Sequence, residues 1–224
     1  MRENPGKGEE RLIHVPAGTV QLEGALVVPP GAKGVVLFAH GSGSGRFSPR
    51  NNFVARALQE RGLATLLIDL LTETEAMDRR LVFDIDLLAD RLLGATAWLQ
   101  ADSVTKNLAV GYFGASTGAG AALQAAARDP GPVGAVVSRG GRPDLASAYL
   151  PMVQAPTLLI VGGADVPVIG MNQSALDLLR TTKDMKIVPG ATHLFEEPGT
   201  LEEVARLAGD WFVRYLPGYK RQAA

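Results

Sequence analysis

The stretch that decides the fold covers residues 107–118 and reads NLAVGYFGASTG. Its apolar first half, residues 107–113, predicts a buried strand, and an alanine-rich helix is predicted over residues 116–128. Between them lies G-x-S-x-G with Ser116 at its centre. Glycines suit such a turn because neighbouring side chains would clash there. The pattern predicts a projecting Ser116 hydroxyl, and its alternative is a glycine-rich turn with a serine N-cap.

Alternating strands and helices surround this stretch. The other predicted strands cover residues 11–15, 19–28, 35–39, 63–68, 133–137, 157–161 and 185–188. The other predicted helices cover residues 48–62, 79–100, 145–149, 172–180 and 200–215. An antiparallel hairpin followed by βαβ units predicts an α/β fold with a mostly parallel sheet and helices on both faces. Ligands of such sheets bind at the carboxyl ends of the strands.

A serine nucleophile needs a base, and the chain has three histidines. His14 lies in the first predicted strand, His40 follows the strand 35–39, and His193 follows the last strand. The order expected for this architecture is serine, then an acid, then histidine. Only His193 follows Ser116, so His193 is the predicted base.

An acid must orient the imidazole of that base. Asp165 follows the strand predicted over residues 157–161 after three intervening residues, and Asp144 follows the strand 133–137 at a greater distance. Asp165 is therefore the better candidate, and Asp144 is the alternative. The remaining aspartates in the interval fit helix ends or turns better; they are Asp129, Asp177 and Asp184.

The loop after the strand 35–39 reads HGSGSGR over residues 40–46. A backbone N–H of Ser42, or alternatively of Gly43, is predicted to face an oxyanion together with the N–H of Thr117. His40 is expected to brace the loop. A phosphate-binding P-loop is excluded because no Lys-Ser or Lys-Thr pair follows the glycines.

The composition of the chain argues against several classes of function and site. The 224 residues carry a net charge of −1, which gives no electrostatic case for binding nucleic acid or an anionic membrane. The absence of cysteine excludes disulfides and Cys-based zinc sites, and three scattered histidines predict neither a metal site nor a cofactor. The polar start and the lack of a long apolar run lead us to expect a cytoplasmic protein. One domain over residues 1–224 is expected, with flexible ends at 1–10 and 219–224.

These pieces, in this order, resemble the α/β-hydrolase superfamily. The HGSGS loop and the ending GATHLFEEPG at residues 190–199 are similar to the dienelactone-hydrolase-like branch. True dienelactone hydrolases use a cysteine nucleophile, whereas this chain has serine at that position. The resemblance implies a triad of Ser116, Asp165 and His193, with Ser42 and Thr117 as oxyanion donors.

The substrate expectation comes from the interval between residues 138 and 157, which is too short for a cap domain. An open, shallow site predicts a serine carboxylesterase for small to medium soluble esters, with short acyl groups preferred. The alternatives are a lactonase, thioesterase or peptidase with the same site, or a non-catalytic binding protein. Arg46, Arg139 and Arg142 either contact an acidic substrate or form structural ion pairs. The expected partner is a small ester, and a homodimer is also compatible with the sequence.

Overall fold

The computed structural model describes residues 8–217, which contain one eight-stranded sheet. The strands are β1 (Glu10–Ala17), β2 (Val20–Val27), β3 (Val35–Ala39), β4 (Ala64–Ile68), β5 (Val110–Ala115), β6 (Val133–Arg139), β7 (Thr157–Gly162) and β8 (Lys183–Val188). The helices are α1 (Pro49–Glu60), α2 (Arg79–Val82), α3 (Ile85–Ala101), α4 (Thr117–Arg128), α5 (Val166–Leu178) and α6 (Thr200–Tyr215). Most predicted strand bounds agree with these to within about three residues.

The strand order is β1-β2-β4-β3-β5-β6-β7-β8. The pairs β1–β2 and β2–β4 are antiparallel, and every pair from β4 to β8 is parallel. The α/β-hydrolase fold predicted from the sequence is thereby confirmed. Since β5 lies inside the sheet, Ser116 at its carboxyl end has strands on both sides.

Two apolar layers cover the sheet because the strands alternate their side chains between the faces. Val35 and Leu37 of β3 pack on one face with α3, α4 and α5, and Val36 and Phe38 pack on the other with α1 and α6. All five residues of β3 are buried, as expected for a strand covered on both sides. Within residues 8–217 no cap domain lies over the carboxyl edge; two short 3₁₀ turns, Pro143–Ala146 and Leu150–Met152, occupy the interval where one helix over 145–149 was predicted.

The predicted long helix over residues 79–100 is wrong. The chain forms a 3₁₀ turn, Glu75–Met77, and then the separate helices α2 and α3. Asp84 causes the break, because its side chain accepts a hydrogen bond from the N–H of Leu87 at 3.0 Å and so caps α3. Asp78 caps α2 in the same way through the N–H of Arg80. Apolar periodicity continues across the break, and for that reason the pattern alone indicated a single helix.

The helix predicted over residues 172–180 is also wrong at its start. Helix α5 begins at Val166, directly after Asp165, with Pro167 in its first turn. Val166, Val168 and Gly170 are poor helix formers, so propensity places the start too late. Proline is well tolerated in a first helical turn because the N–H groups there have no helical partner.

The ends of the chain bear on one further expectation. Glu10 was assigned to a flexible end, but it pairs with Val27 as the first residue of β1. The rest of that expectation concerns residues 1–7 and 219–224, which lie outside the described residues. Among the helices of residues 8–217, none has the length and apolar character required to span a bilayer.

Candidate active site

Ser116 lies on a strained turn between β5 and α4. Its backbone adopts φ 50° and ψ −122°, a conformation that residues with a side chain rarely take. The flanking glycines permit this turn, as predicted: a Cβ at Gly114 would lie 2.4 Å from the Cα of Ala119, and one at Gly118 would lie 2.2 Å from the carbonyl oxygen of Ala39. Close backbone contact on both sides therefore fixes where the Ser116 hydroxyl points.

Ser116, His193 and Asp165 form a chain of polar contacts. The Nδ1 of His193 lies 2.7 Å from the Oδ2 of Asp165, and its Nε2 lies 3.4 Å from the Oγ of Ser116. The Asp165 side chain is largely buried, whereas that of His193 is 38% exposed. The imidazole is thus held on its inner side by the carboxylate, while a molecule arriving from solvent can reach its other side.

Asp144, the alternative acid, lies outside this chain of contacts. Both of its carboxylate oxygens accept hydrogen bonds from the Arg142 guanidinium, at 2.8 and 2.7 Å. A carboxylate with both oxygens bound to a guanidinium is not positioned to orient an imidazole. The structure therefore places Asp165, and not Asp144, beside His193.

Backbone hydrogen bonds join the loops that carry the three side chains. The N–H of Ala164 donates to the carbonyl of Ala191 at 2.9 Å, which links the acid loop to the histidine loop. The N–H of Arg142 donates to the carbonyl of Ser116 at 3.0 Å, which links the loop after β6 to the serine turn. Gly140 packs against His193, since a Cβ there would lie 3.1 Å from the His193 carbonyl oxygen.

The loop over residues 40–46 lies against the serine turn. The N–H of Ser42 donates to the Oγ1 of Thr117 at 3.0 Å, so the two predicted oxyanion donors are neighbours and one of them is already bonded. Thr117 is the first residue of α4, and its N–H has no preceding helical carbonyl as a partner. Their roles as oxyanion donors stay predictions.

His40 braces this loop, as the sequence predicted. Its Nε2 accepts a hydrogen bond from the N–H of Leu70 at 3.0 Å, so its Nδ1 carries the proton and donates to the carbonyl of Gly41 at 3.0 Å. Burial lowers the pKa of the His40 imidazole, partly offset by the Gly41 carbonyl and by Asp69. The neutral tautomer is therefore the form that fits this position.

The three arginines near the strand ends have protein partners. Arg46 binds the carboxylates of Asp69 and Glu23, and Arg142 binds Asp144. Arg139 is buried, 5.8 Å from the centroid of the Phe195 ring, and burial with Arg50 nearby lowers its pKa to about 10. Structural partners are thus present for all three.

Several contributors to the site were not predicted as site residues, although Phe195 and Glu197 lie in the stretch 190–199 that carries the family resemblance. Phe195 is buried with φ 55°, and it shapes the histidine loop against Arg139. The Glu197 carboxylate accepts a hydrogen bond from the N–H of Thr192 at 3.0 Å, which lowers its pKa and ties the loop beside His193. Gly140 was detectable, because paired glycines directly after a buried strand indicate close backbone approach.

A cavity of about 620 Å³ opens beside the loop over residues 40–46. It reaches Ser42 and Thr117, and its far side is formed by residues 69–88, where the predicted long helix is broken. The expectation of an open, shallow site did not include this cavity.

Comparison with known proteins gives one family and several relatives. The model of the dienelactone hydrolase family matches residues 22–216. A crystal structure of dienelactone hydrolase from Anabaena variabilis is 62% identical, with a TM-score of 0.92, over 93% of this chain and 99% of that chain. A lid-free α/β serine hydrolase from Xanthomonas campestris shares the fold at 22% identity and a TM-score of 0.76, over 95% of this chain and 97% of that chain.

The similar curated proteins carry a different name. Two proteins of Mycobacterium tuberculosis, provisionally named phosphoribosyl transferases, are 57% identical over 214 residues. That match covers 96% of this chain but 48% of each of theirs, so the chain spans about half the length of these relatives.

Proposed function

The chain belongs to the dienelactone hydrolase family, and from that premise we propose that it is a serine carboxylesterase for small to medium soluble esters. The observation that carries the proposal is the chain of contacts from Asp165 through His193 to Ser116, on a turn that holds the serine in a strained conformation. Such an arrangement meets the requirements for an activated serine, because the base lies beside the hydroxyl and a third group orients the base.

In the proposed first step, the Oγ of Ser116 attacks the ester carbonyl carbon while the Nε2 of His193 accepts the hydroxyl proton. The 3.4 Å separation of these two atoms is longer than a good hydrogen bond, and such contacts commonly tighten when substrate binds. Asp165 holds the Nδ1 proton and stabilises the imidazolium that forms. His193 then protonates the leaving alcohol, and an acyl-Ser116 ester remains.

In the second step, water attacks the acyl-Ser116 ester. His193 accepts a proton from that water, and the proton passes to Ser116 as the acid product leaves. The tetrahedral intermediate of each step carries an oxyanion, for which we propose the N–H groups of Thr117 and Ser42 as donors. Since Ser42 donates to the Thr117 hydroxyl before substrate binds, that bond must be shared or exchanged during the reaction.

The decisive experiment combines labelling with turnover. A fluorophosphonate probe should label the wild-type protein, and Ser116→Ala should abolish labelling and lower kcat for p-nitrophenyl acetate by about 10⁴-fold or more. Ser174→Ala, an exposed serine of α5, is the matched control and should behave as wild type. More than about a tenth of wild-type activity in a folded Ser116→Ala variant would remove Ser116 from the mechanism.

A lactonase or thioesterase would use the same site, and a panel of esters, thioesters and lactones ranks the three. Among p-nitrophenyl esters from acetate to palmitate, we expect the highest kcat/KM at short acyl groups of about two to four carbons. Each methylene adds about 0.8 kcal/mol only if it leaves water, and without a cap little surface encloses a long chain. A folded protein that is neither labelled nor active would instead support a non-catalytic binding role.

Phosphoribosyl transfer is not the function we propose. That name belongs to relatives twice as long, and a phosphorylated substrate at the loop 40–46 would meet Arg46 with its charge already paired to Asp69 and Glu23. The cytoplasmic location and the homodimer considered from the sequence stay predictions.

A further inference from the structure

The cavity beside the loop 40–46 has fixed walls. Arg91 of α3 donates to the Oε1 of Glu75 at 2.8 Å and to the carbonyl of Ala17 at 2.5 Å. Glu75 also accepts the N–H of Thr72 at 2.9 Å through its other oxygen. These bonds hold the turn at Glu75 against α3 and the β1–β2 hairpin, and so fix the segment 69–88, which we call the cavity wall. The cavity is therefore preformed, and its lining can be interpreted as a substrate environment.

The charged lining of this cavity is mostly negative. Glu23, Asp69 and Glu73 contribute carboxylates, and Arg46 contributes one guanidinium. The two terminal nitrogens of Arg46 are bonded to Asp69 and Glu23, and its guanidinium carbon lies 4.2 Å from the centroid of the Phe47 ring. Within residues 8–217, Glu73 is exposed and has no ion-pair or hydrogen-bond partner.

Each of the other basic groups nearby is neutral, paired or outside the cavity lining. His40 also lines the cavity, but both of its ring nitrogens are bonded to backbone in the neutral form. Arg142 is paired to Asp144, and Arg139 is buried outside the cavity lining. Arg79 faces the outer hollow next to the cavity, with its guanidinium carbon 5.7 Å from the centroid of the Phe83 ring.

Apolar side chains complete the lining. Leu71, Val82 and Leu88 face the cavity, and Phe47 lies at its rim with 77% of its surface exposed. A substrate group in this cavity would contact apolar surface and a lining with more carboxylates than guanidinium groups. An anionic group would be repelled by these carboxylates, a cationic group would be attracted to them, and a neutral group would be neither repelled nor attracted.

We propose that this cavity holds the group next to the ester carbonyl and makes the enzyme select uncharged and cationic esters over anionic ones. The proposal rests on the esterase function proposed above, because the cavity gains this meaning from its contact with Ser42 and Thr117.

The test uses three p-nitrophenyl esters of similar length, those of pentanoic, 4-(trimethylammonio)butanoic and glutaric acids. Each kcat/KM is divided by the rate constant for hydroxide hydrolysis of the same ester, which removes differences in intrinsic reactivity. A second set varies the alcohol and contains 3,3-dimethylbutyl acetate, acetylcholine and 4-acetoxybutanoate. One of the two sets carries its charge on the half of the ester that occupies the cavity. In that set we expect the corrected kcat/KM of the cationic ester to exceed that of the anionic ester by about ten-fold or more at low salt. The ratio should shrink in 0.5 M NaCl.

Variants locate the effect. Glu73→Gln should lower the cation-to-anion ratio, and Glu23→Gln should lower it further because it also frees one nitrogen of Arg46. Glu60→Gln, which removes an exposed carboxylate from the end of α1, is the control of equal charge change and should leave the ratio as in wild type. Equal rates for anionic and cationic esters in both sets, or a ratio that neither cavity variant changes, would overturn the proposal.

Ser116→Ala separates this proposal from the esterase function. If that variant loses activity toward every ester while the charge series is flat, only the charge selection fails. If it keeps activity toward them, the proposed function fails.

Discussion

The triad corner, formed by Ser116, Asp165 and His193, and the cavity wall over residues 69–88 lie on either side of the same serine turn but are built differently. The triad corner depends on backbone: glycines in close contact, a strained serine and hydrogen bonds between loops. The cavity wall depends on side chains from distant elements, above all Arg91 with Glu75. Backbone requirements leave short local motifs in a sequence, whereas contacts between distant side chains leave none.

The largest difference between the two regions should appear on removing the triad acid. Asp165→Asn keeps the shape but loses the charge that orients His193, and we expect kcat for p-nitrophenyl acetate to fall by about 10³- to 10⁴-fold. Asp144→Asn breaks only a partly exposed pair with Arg142 and should change kcat by about two-fold or less. If the two variants rank the other way, Asp144 is the acid.

The cavity wall should respond in stability more than in chemistry. Glu75→Gln removes the charge opposite the nearly buried Arg91 guanidinium, and the amide can keep only one of the two hydrogen bonds that the carboxylate accepts. We expect the free energy of unfolding to fall by about 2 kcal/mol. Glu203→Gln removes one partner of an exposed ion pair on α6 and should change the free energy of unfolding by about 0.5 kcal/mol or less. Urea unfolding of both variants measures the contrast, and equal losses would show that the wall is not held by this pair.

A smaller effect is expected where the two regions meet. Thr117→Val keeps the shape of Thr117 but leaves the N–H of Ser42 without its acceptor, and we expect kcat to fall by about ten-fold at most. Thr117→Ser restores the hydroxyl and should recover most of the rate. A rise in kcat for the valine variant would mean that the bond to Thr117 competes with the oxyanion for the Ser42 N–H.

The smallest effect concerns pH and His40. Burial lowers the pKa of this histidine in the folded protein, so below the ordinary value of about 6.5 the unfolded chain binds a proton that the folded chain does not. Stability should therefore fall as the pH falls from 7 to 5. In His40→Gln that part of the slope should disappear, which urea unfolding at pH 5, 6 and 7 can measure. Parallel slopes for the two proteins would contradict this assignment.

The fold and the meeting of the triad residues could be predicted because each depends on local pattern. Apolar runs marked the strands, and the loops that follow the strand ends contain Ser116, Asp165 and His193. The choice of Asp165 over Asp144 followed from its shorter distance to a strand end, and the structure places Asp165 beside the imidazole.

The rest was hidden because it depends on competition between signals or on distant contacts. Asp84 caps a new helix inside a continuous apolar pattern, so residues 79–88 of the cavity wall were predicted as part of a single helix. The partners of Arg46 lie 23 residues away along the chain in both directions, at Glu23 and Asp69. A separation of 23 residues corresponds to no helix or strand periodicity, so a sequence pattern could not reveal these pairs.

The position of Arg91 has a consequence for how the protein opens locally. One side chain joins the carbonyl of Ala17 in the β1–β2 hairpin, Glu75 in the cavity wall and its own helix α3. Because a buried guanidinium tolerates the loss of its partners poorly, we expect the hairpin and the wall to detach together, as one cooperative unit in amide hydrogen exchange. A molecule bound in the cavity would then slow exchange at the first strands of the chain, which it does not cover, through this single arginine.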